Sequence, residues 1–434
     1  MLEQRPKTVI SIIGTTGVGK SDLGVALAEM FNGEIINADS MQMYKGLPQI
    51  TNKHPISDRH GIPHHIMNHV DWNEEYHIHR FQKECLAKIA EIHSRGKVPI
   101  LVGGTHYYLQ SVLFVNKTIG TEDGSEEKQL TEAQQRMLDS GSGEQLHELL
   151  MKYDPKISMK FHPNDVRRLR RALEVYYKMG KPASQFYKEQ QKQQTFRSRL
   201  RYTTMFLWLY SGSSELNLRL DKRVDKMMDQ GALQELTELY DYYDGLPNPK
   251  PKMDTGCFQV IGFKEFLPYL SSRRKDPLDG QDPLFMKCCE EMKLRTRQYA
   301  KRQVKWIKNT LIPDLQSEAD HDWCHFGKVY VVNASDLSQW HELVEHRAVQ
   351  IVQEFLKSGG KVNDSVVQVP KELEDQNLIH DKSNKFDETK WVYHTCGVCI
   401  NKVTGEPLVL VGDQYDIHMK GRRHRRNFKY KSKK

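Results

Sequence analysis

The sequence predicts an α/β protein: a parallel sheet, a helical insertion within it, and a small Cys/His module after it. Three observations carry that prediction. A glycine-rich turn near the start of the chain joins a short β-branched run to a stretch with helical spacing. Between residues 117 and 201 the strand-like runs vanish, and Glu, Gln, Lys and Leu at helical spacing take over. Two cysteines and two histidines stand in paired spacing within residues 390–434. The expected organisation is a core in two parts, 1–116 and 202–345, a helical insertion at 117–201, a linker at 346–389, and the Cys/His module at 390–434.

The turn reads Gly14-Thr15-Thr16-Gly17-Val18-Gly19-Lys20-Ser21. Val9 to Ile13 before it reads as a buried strand, and Asp22 to Phe31 after it as a helix. Strand, turn and helix are the setting in which G-x-x-x-x-G-K-S cradles phosphates. The glycines let backbone N–H groups converge on phosphate oxygens, and the helix N-terminus adds its positive end. Lys20 supplies a mobile cation, and the Ser21 hydroxyl can ligate Mg²⁺. The motif calls for a di- or triphosphate and leaves the reaction open.

A second strand is centred on Ile35-Ile36, and Asp39 lies just past its end, on the edge where open α/β sheets bind ligands. An Asp-Ser pair is also an ordinary cap or turn. Seven histidines between His54 and His79 include no cysteine among them and match no common zinc spacing; phosphate contact or plain exposure is the expectation. A helix over 80–94 leads to a third strand, Val98 to Val102, which ends in Gly103-Gly104-Thr105. ATP-hydrolysing P-loop proteins place an Mg²⁺-binding Asp there. Its absence argues for a pocket that a ligand enters close to backbone, with one hydroxyl pointing inward.

Within the insertion, a helix capped by Asn164 or Asp165 carries Arg167, Arg168, Arg170 and Arg171 around Leu169. Arginines at i, i+3 and i+4 share a face and can converge on a phosphate backbone, so RNA contact is expected there. Met205 to Tyr210 returns to a strand, and Val329 to Val332 reads as the last one. Leu216 to Met228 is an amphipathic helix that sets Arg219 and Arg223 on one face, able to clamp a diphosphate opposite the loop. A long basic helix over 292–306 presents Arg297, Lys301 and Lys305 as a stripe, and 361–390 is polar and poorly periodic, as a linker would be.

The chain of 434 residues is long enough for two or more domains, with no apolar run long enough to span a membrane. Residues 1–7 are too short for a signal peptide or a usual transit peptide before the first strand. Seven cysteines, an odd number, suit a reducing compartment better than a disulfide framework. The net charge of +8 is concentrated in residues 420–434, which hold nine Lys or Arg and no acid, suggesting nucleic acid contact or nuclear import. Cys396-x2-Cys399, then eighteen residues, then His418-x5-His424 is a zinc signature; Trp391, Tyr393 and Tyr415 are candidates for its small core.

Together the phosphate loop, Asp39-Ser40-Met41-Gln42-Met43-Tyr44, Gly61-Ile62-Pro63-His64-His65, Gly103-Gly104-Thr105 and Arg297-Gln298-Tyr299-Ala300-Lys301-Arg302-Gln303 resemble the tRNA dimethylallyltransferases through about residue 335, and the finger resembles that of the fungal members. The resemblance implies a P-loop NTPase-like sheet that transfers a dimethylallyl group from its diphosphate to N6 of adenosine 37 of tRNA. It implies that Asp39 is the general base, that Thr105 bonds the bridging oxygen of the diphosphate, and that Lys20, Arg223 and Mg²⁺ on Ser21 neutralise the leaving group. It places tRNA contacts at Asp39, Ser40, Met41 and Gln42 and at Arg167 to Arg171, Leu169 included. Zn²⁺ on Cys396, Cys399, His418 and His424 is expected as a structural ion. The partners expected are the tRNA anticodon stem-loop and dimethylallyl diphosphate. The protein is expected to be a monomer in cytosol and nucleus, with a mitochondrial fraction. The rivals are a P-loop kinase, an adenylate isopentenyltransferase and a non-catalytic RNA-binding protein.

Overall fold

The computed structural model describes residues 7–115, 128–193, 200–248, 250, 253–272, 282–319, 326–360, 362, 366–379, 393–400, 407–411 and 413–431. The chain divides into two units, 1–117 with 198–383 and 118–197 with 384–434.

The first unit is built on six parallel strands: β1 (Thr8–Gly14), β2 (Gly33–Asn37), β3 (His64–His65), β4 (Val98–Val102), β5 (Thr203–Tyr210) and β6 (Gly327–Asn333). Their order in the sheet is β3-β2-β4-β1-β5-β6. The central strands are near-continuous apolar runs because both faces are covered. Alternation then sorts the residues of β1: Val9 and Ile13 enter one core cluster, Ile10 and Ile12 the other. α1 (Lys20–Met30) supplies Leu23 and Leu27 to the second cluster, and α2 (Ile78–Ser94) supplies Phe81, Cys85, Ile89 and Ile92 to the first. With every strand parallel, the loops after β1, β2 and β4 share one edge of the sheet. α3 (His106–Leu113) begins there, directly after the turn that follows β4.

The second unit contains α4 (Glu132–Ser140), α5 (Gly143–Tyr153), α6 (Pro155–Ser158), α7 (Val166–Met179) and α8 (Ala183–Gln193). Capping boxes open α4 at Thr131/Gln134 and α5 at Ser142/Gln145. Their buried leucines, Leu138, Leu146, Leu150, Leu169 and Leu173, form a core of their own. Asp165, rather than Asn164, caps α7, its side chain accepting from the Arg168 N–H at 3.3 Å.

The remaining helices of the first unit are α9 (Ser213–Asp229), α10 (Ala232–Asp244), α11 (Phe263–Ser271), α12 (Pro283–Trp306), α13 (Ile312–Ala319) and α14 (Arg347–Lys357). α14 corrects the expected linker at 346–389. Its Ala348, Ile351, Val352 and Phe355 are buried in the sheet's second cluster. Beyond it, the Gln368 carbonyl accepts from the Val331 N–H at 2.7 Å, and Leu373 and Leu378 are buried. The apolar spacing of 348–355 is helical, but the polar stretch that follows masks it in the sequence. Residues 380–392, with Trp391 and the rest of the expected linker, lie outside the described residues.

Candidate active site

The phosphate loop turns because glycines stand where other residues would be strained. Gly17 (φ +80°) and Gly19 (φ +88°) are left-handed, and a Cβ on Gly17 would come within 2.7 Å of the Leu220 side chain. Gly19 is the N-cap of α1, so the free N–H groups of that helix start at Lys20 and Ser21. The Lys20 ammonium donates to the Thr15 carbonyl at 2.6 Å. Burial pulls its pKa down to about 8; nearby Asp39 works against that fall and Arg223 adds to it. Val18 and Thr15 are buried.

Arg223 reaches the loop from α9, its guanidinium donating to Thr16 Oγ1 at 2.9 Å. Burial lowers its pKa to about 10, against the pull of Asp39. Its Nε–H is buried with no hydrogen-bond partner among the described residues. A half-buried cation with an enclosed, unanswered donor beside a phosphate loop fits an incoming anion. Arg219, four residues earlier, is tied elsewhere by one nitrogen, which donates to the Ala334 and Ser335 carbonyls, both at 3.0 Å, and joins α9 to the end of β6; its buried Nη1 has no partner among the described residues.

Asp39 sits two residues past β2 in a turn pinned by Asn37, whose side-chain oxygen accepts from the Asp39 N–H at 3.2 Å and whose amide donates to the Ile66 carbonyl at 2.9 Å. One carboxylate oxygen accepts from the Met41 N–H at 3.0 Å. The turn role and the site role therefore coexist. Burial raises the Asp39 pKa, while the Met41 N–H, Lys20, Arg223 and Lys53 draw it back toward the anion. Thr105 is stitched to the same turn. Its N–H donates to the Ala38 carbonyl at 3.2 Å, and Oγ1 accepts from the Ser40 N–H at 3.1 Å. Oγ1 makes a long bond, 3.3 Å, to Ser40 Oγ and also interacts with the Tyr299 hydroxyl. Gly103 permits this, because a Cβ there would collide with the Ala38 backbone.

Four further residues stand at the site to which the sequence reading gives no role there, although Tyr299 and Gln303 belong to the Arg297–Gln303 motif. Gln303, on α12, accepts from the Thr16 N–H at 2.8 Å and donates to the Gly104 carbonyl at 2.9 Å. Tyr299, one turn earlier, donates to the same carbonyl at 3.3 Å, and burial and the charge of Asp39 raise its pKa. Lys53 stands near Asp39 and Glu235, brought to about 8 by burial. His106, stacked on Trp306 at 5.3 Å, is driven to about 3 by burial and Lys20, which keeps it neutral. The basic stripe expected on α12 hides the first two. That stripe is itself corrected: Arg297 is ion-paired to Asp221, and only Lys301 and Lys305 stand exposed.

Of the other expected contacts, the Gln42 amide donates to the Thr51 and Asn52 carbonyls, at 3.2 and 2.9 Å, and so orders the loop that carries Lys53. Ser40 and Met41 are half-buried. On α7, Arg167, Arg168 and Arg171 are exposed, and Arg170 is half-buried. Arg168 pairs with Asp165 at 3.0 Å and Arg171 with Glu174 at 2.9 Å. Leu169 is corrected: it is 0% exposed, in the core of the helical unit, because it lies a turn from Leu173 on the apolar face. It is not available to RNA.

The Cys/His module folds as a hairpin, β7 (Tyr393–Ile400) with β8 (Pro407–Val411), followed by α15 (Asp413–Met419) and α16 (Arg422–Lys431). It brings Cys396, Cys399, His418 and His424 together, their ligand atoms all within 4.8 Å of one another. Cys396 Sγ lies 3.3 Å from His418 Nε2 and from His424 Nδ1, and the two imidazole nitrogens are 3.1 Å apart. Asn427 donates to Cys399 Sγ at 3.3 Å. Such a cluster could hold a metal ion. Of the histidines in the 54–79 stretch, His60, His65, His69 and His77 instead face carboxylates, His65 with Glu34 at 2.7 Å and His69 with Glu84 at 3.1 Å, while His54 and His64 meet backbone carbonyls.

Comparison with known proteins agrees with this geometry. A family model described as IPP transferase matches residues 42–310. The tRNA dimethylallyltransferase of Saccharomyces cerevisiae is 47% identical over 98% of this chain and 92% of its own length. That of Homo sapiens is 32% identical over 97% and 86%. A crystal structure of a eukaryotic dimethylallyltransferase acting on tRNA superposes with a TM-score of 0.80 at 46% identity, covering 98% of this chain and 97% of that one. The sheet edge, the cations gathered at the phosphate loop and the likeness along nearly the whole chain lead to one conclusion: this chain belongs to the tRNA dimethylallyltransferase family.

Proposed function

We propose that this protein transfers the dimethylallyl group of dimethylallyl diphosphate to N6 of adenosine 37 of tRNA, next to the anticodon, releasing diphosphate. The observation that carries the reading is the convergence on one sheet edge of a phosphate loop, an arginine whose buried Nε–H is unanswered among the described residues, a carboxylate and a hydroxyl. Loop amides between Gly14 and Ser21, apart from the Thr16 N–H that Gln303 holds, together with Lys20 and Arg223, hold the diphosphate. Thr105 Oγ1 turns its hydrogen from Ser40 to the bridging oxygen. The N6 lone pair forms the bond to the allylic carbon as the C–O bond breaks, and the electron pair leaves on the diphosphate. Asp39 accepts the N6 proton, its basicity raised by burial. The Gly-Gly-Thr end of β4, with no carboxylate, supports this over a kinase.

Mg²⁺, held by Ser21 Oγ and diphosphate oxygens, would supply further charge neutralisation. We assign Zn²⁺ to Cys396, Cys399, His418 and His424. Their separations suit a tetrahedron with Zn–S of about 2.3 Å and Zn–N of about 2.0–2.1 Å. The ion's contribution is folding of a module too small for a core of its own. The exposed arginines of α7, residues Ser40 to Gln42 and the basic 420–434 segment are the proposed tRNA contacts. We further propose a monomer distributed between cytosol and nucleus, with a mitochondrial fraction. No described helix is long and apolar enough to cross a membrane.

The test uses the full chain, labelled dimethylallyl diphosphate, and either unmodified tRNA or AMP as acceptor. Label is expected in tRNA and not in AMP. In the Asp39→Asn variant kcat should fall by about 10²–10⁴, the usual contribution of a positioned base, with diphosphate affinity retained. Label transferred to AMP, or near-normal single turnover by the Asn variant, would overturn the reading or its base assignment respectively.

A further inference from the structure

The helix that brings Gln303 to the site begins twenty residues earlier, at Pro283, yet its last turn ends between the two catalytic loops. Gln303 is only 3% exposed. Its carboxamide is the one side chain among the described residues that bonds the backbones of both the phosphate loop and the Gly103-Gly104-Thr105 turn. The two ends of the amide are used differently. The oxygen takes the N–H of Thr16, whose own hydroxyl receives Arg223. The nitrogen gives a hydrogen to the carbonyl of Gly104, one peptide before Thr105. There is no slack on the second side, since a Cβ on Gly104 would run into that nitrogen. Tyr299, on the same face of α12, donates to the same carbonyl.

We infer that Gln303 is a positioning residue for the transfer step: it sets the distance between the group that holds the diphosphate and the hydroxyl that meets its bridging oxygen. A side chain with one donor and one acceptor at opposite ends of a planar amide is suited to this, because the loops offer an N–H on one side and a C=O on the other. It acts through Thr105 and touches no reacting atom, so the inference rests on the role given to Thr105 above. Misplacement by about 1 Å at a reacting centre costs up to about 10²-fold in rate. Binding of the diphosphate, spread over the loop amides, Lys20 and Arg223, depends on Gln303 far less.

The experiment is a double-mutant cycle in the full-length protein, with single-turnover transfer to tRNA as the readout. The variants are Gln303→Met, Thr105→Ala and both together. Gln303→Glu serves as a second probe that keeps volume and the bond from Thr16 N–H but faces the Gly104 carbonyl with an acceptor. Gln303→Met and Gln303→Glu are each expected to lower the single-turnover rate by about 10- to 100-fold, with the Kd for dimethylallyl diphosphate changed less than about threefold and the thermal midpoint of the Glu variant near that of the parent. In the Thr105→Ala background the same changes are expected to cost little more. Full additivity would overturn the positioning role while leaving Thr105 in place. A normal rate for Thr105→Ala would overturn both the role of Thr105 and the inference built on it. A Kd that rises in parallel with the fall in rate would make Gln303 a binding residue instead.

Discussion

Arg223 and the arginines of α7 are one residue type in two opposite settings. Arg223 is half-buried, with one N–H on Thr16, an enclosed Nε–H that has no partner among the described residues, and a pKa brought down to about 10. On α7, Arg168 and Arg171 lie on the surface beside carboxylates of their own helix, and Arg167 is exposed without a partner among the described residues. An exposed pair of this kind adds little stability. The cost of enclosing Arg223 is tolerated where an anion is to arrive. The contrast separates a cation that acts through position from cations that act through number, and each can be probed where the other is silent.

The largest effect is expected at the enclosed end. Arg223→Gln removes the charge and shortens the side chain, and should lower kcat by about 10²–10³, the range for losing one preorganised donor to a developing anion. Steady-state transfer at saturating tRNA measures it, and a fall of less than about threefold would place Arg223 with the α7 group. Next comes Lys20. An ordinary lysine stays charged to about pH 10.4, whereas this one has its pKa lowered to about 8 in the free protein. The diphosphate prefers the ammonium, so affinity should be flat below about pH 8 and weaken above it, by at most about tenfold per pH unit for one proton. Calorimetric titration across pH 7 to 10 reads this, and a flat profile would contradict the burial of Lys20. The smallest effect belongs to the surface. Arg167→Ala with Arg171→Ala should weaken tRNA binding severalfold and reduce its salt slope by about one unit for each phosphate that the helix no longer neutralises, leaving dimethylallyl diphosphate binding untouched. Filter binding of tRNA across a salt series checks this, and an unchanged slope would show these arginines to be plain solvated surface.

Legibility followed the locality of the physics. The strand-turn-helix around the phosphate loop could be read because its residues are neighbours in sequence. So could the ends of β2 and β4, because a parallel sheet fixes where they lead. Gln303 and Lys53 could not. Gln303 meets the phosphate loop at Thr16, 287 residues away, and Lys53 reaches Asp39 only through the fold of the loop between them, so nothing in local spacing points to either. Leu169 failed for another reason. A motif boundary took in every residue between two arginines, although helical spacing alone puts that leucine on the face of Leu173. Arg219 shared a face with Arg223 as read, but a face spans several partners, and the carbonyls at the end of β6 claimed it first.

The backbone of Ala38 lies where a side chain at position 103 would begin. Most sites grade their tolerance: a smaller residue is better than a larger one, and a lineage can walk by short steps. Position 103 offers no first step, since alanine already carries the atom that collides. The same collision pushes apart the two turns that bear Asp39 and Thr105, so stability and catalysis fail at the same locus. In a saturation library this position should read as a cliff, with every non-glycine codon grouped at the bottom whatever its chemistry.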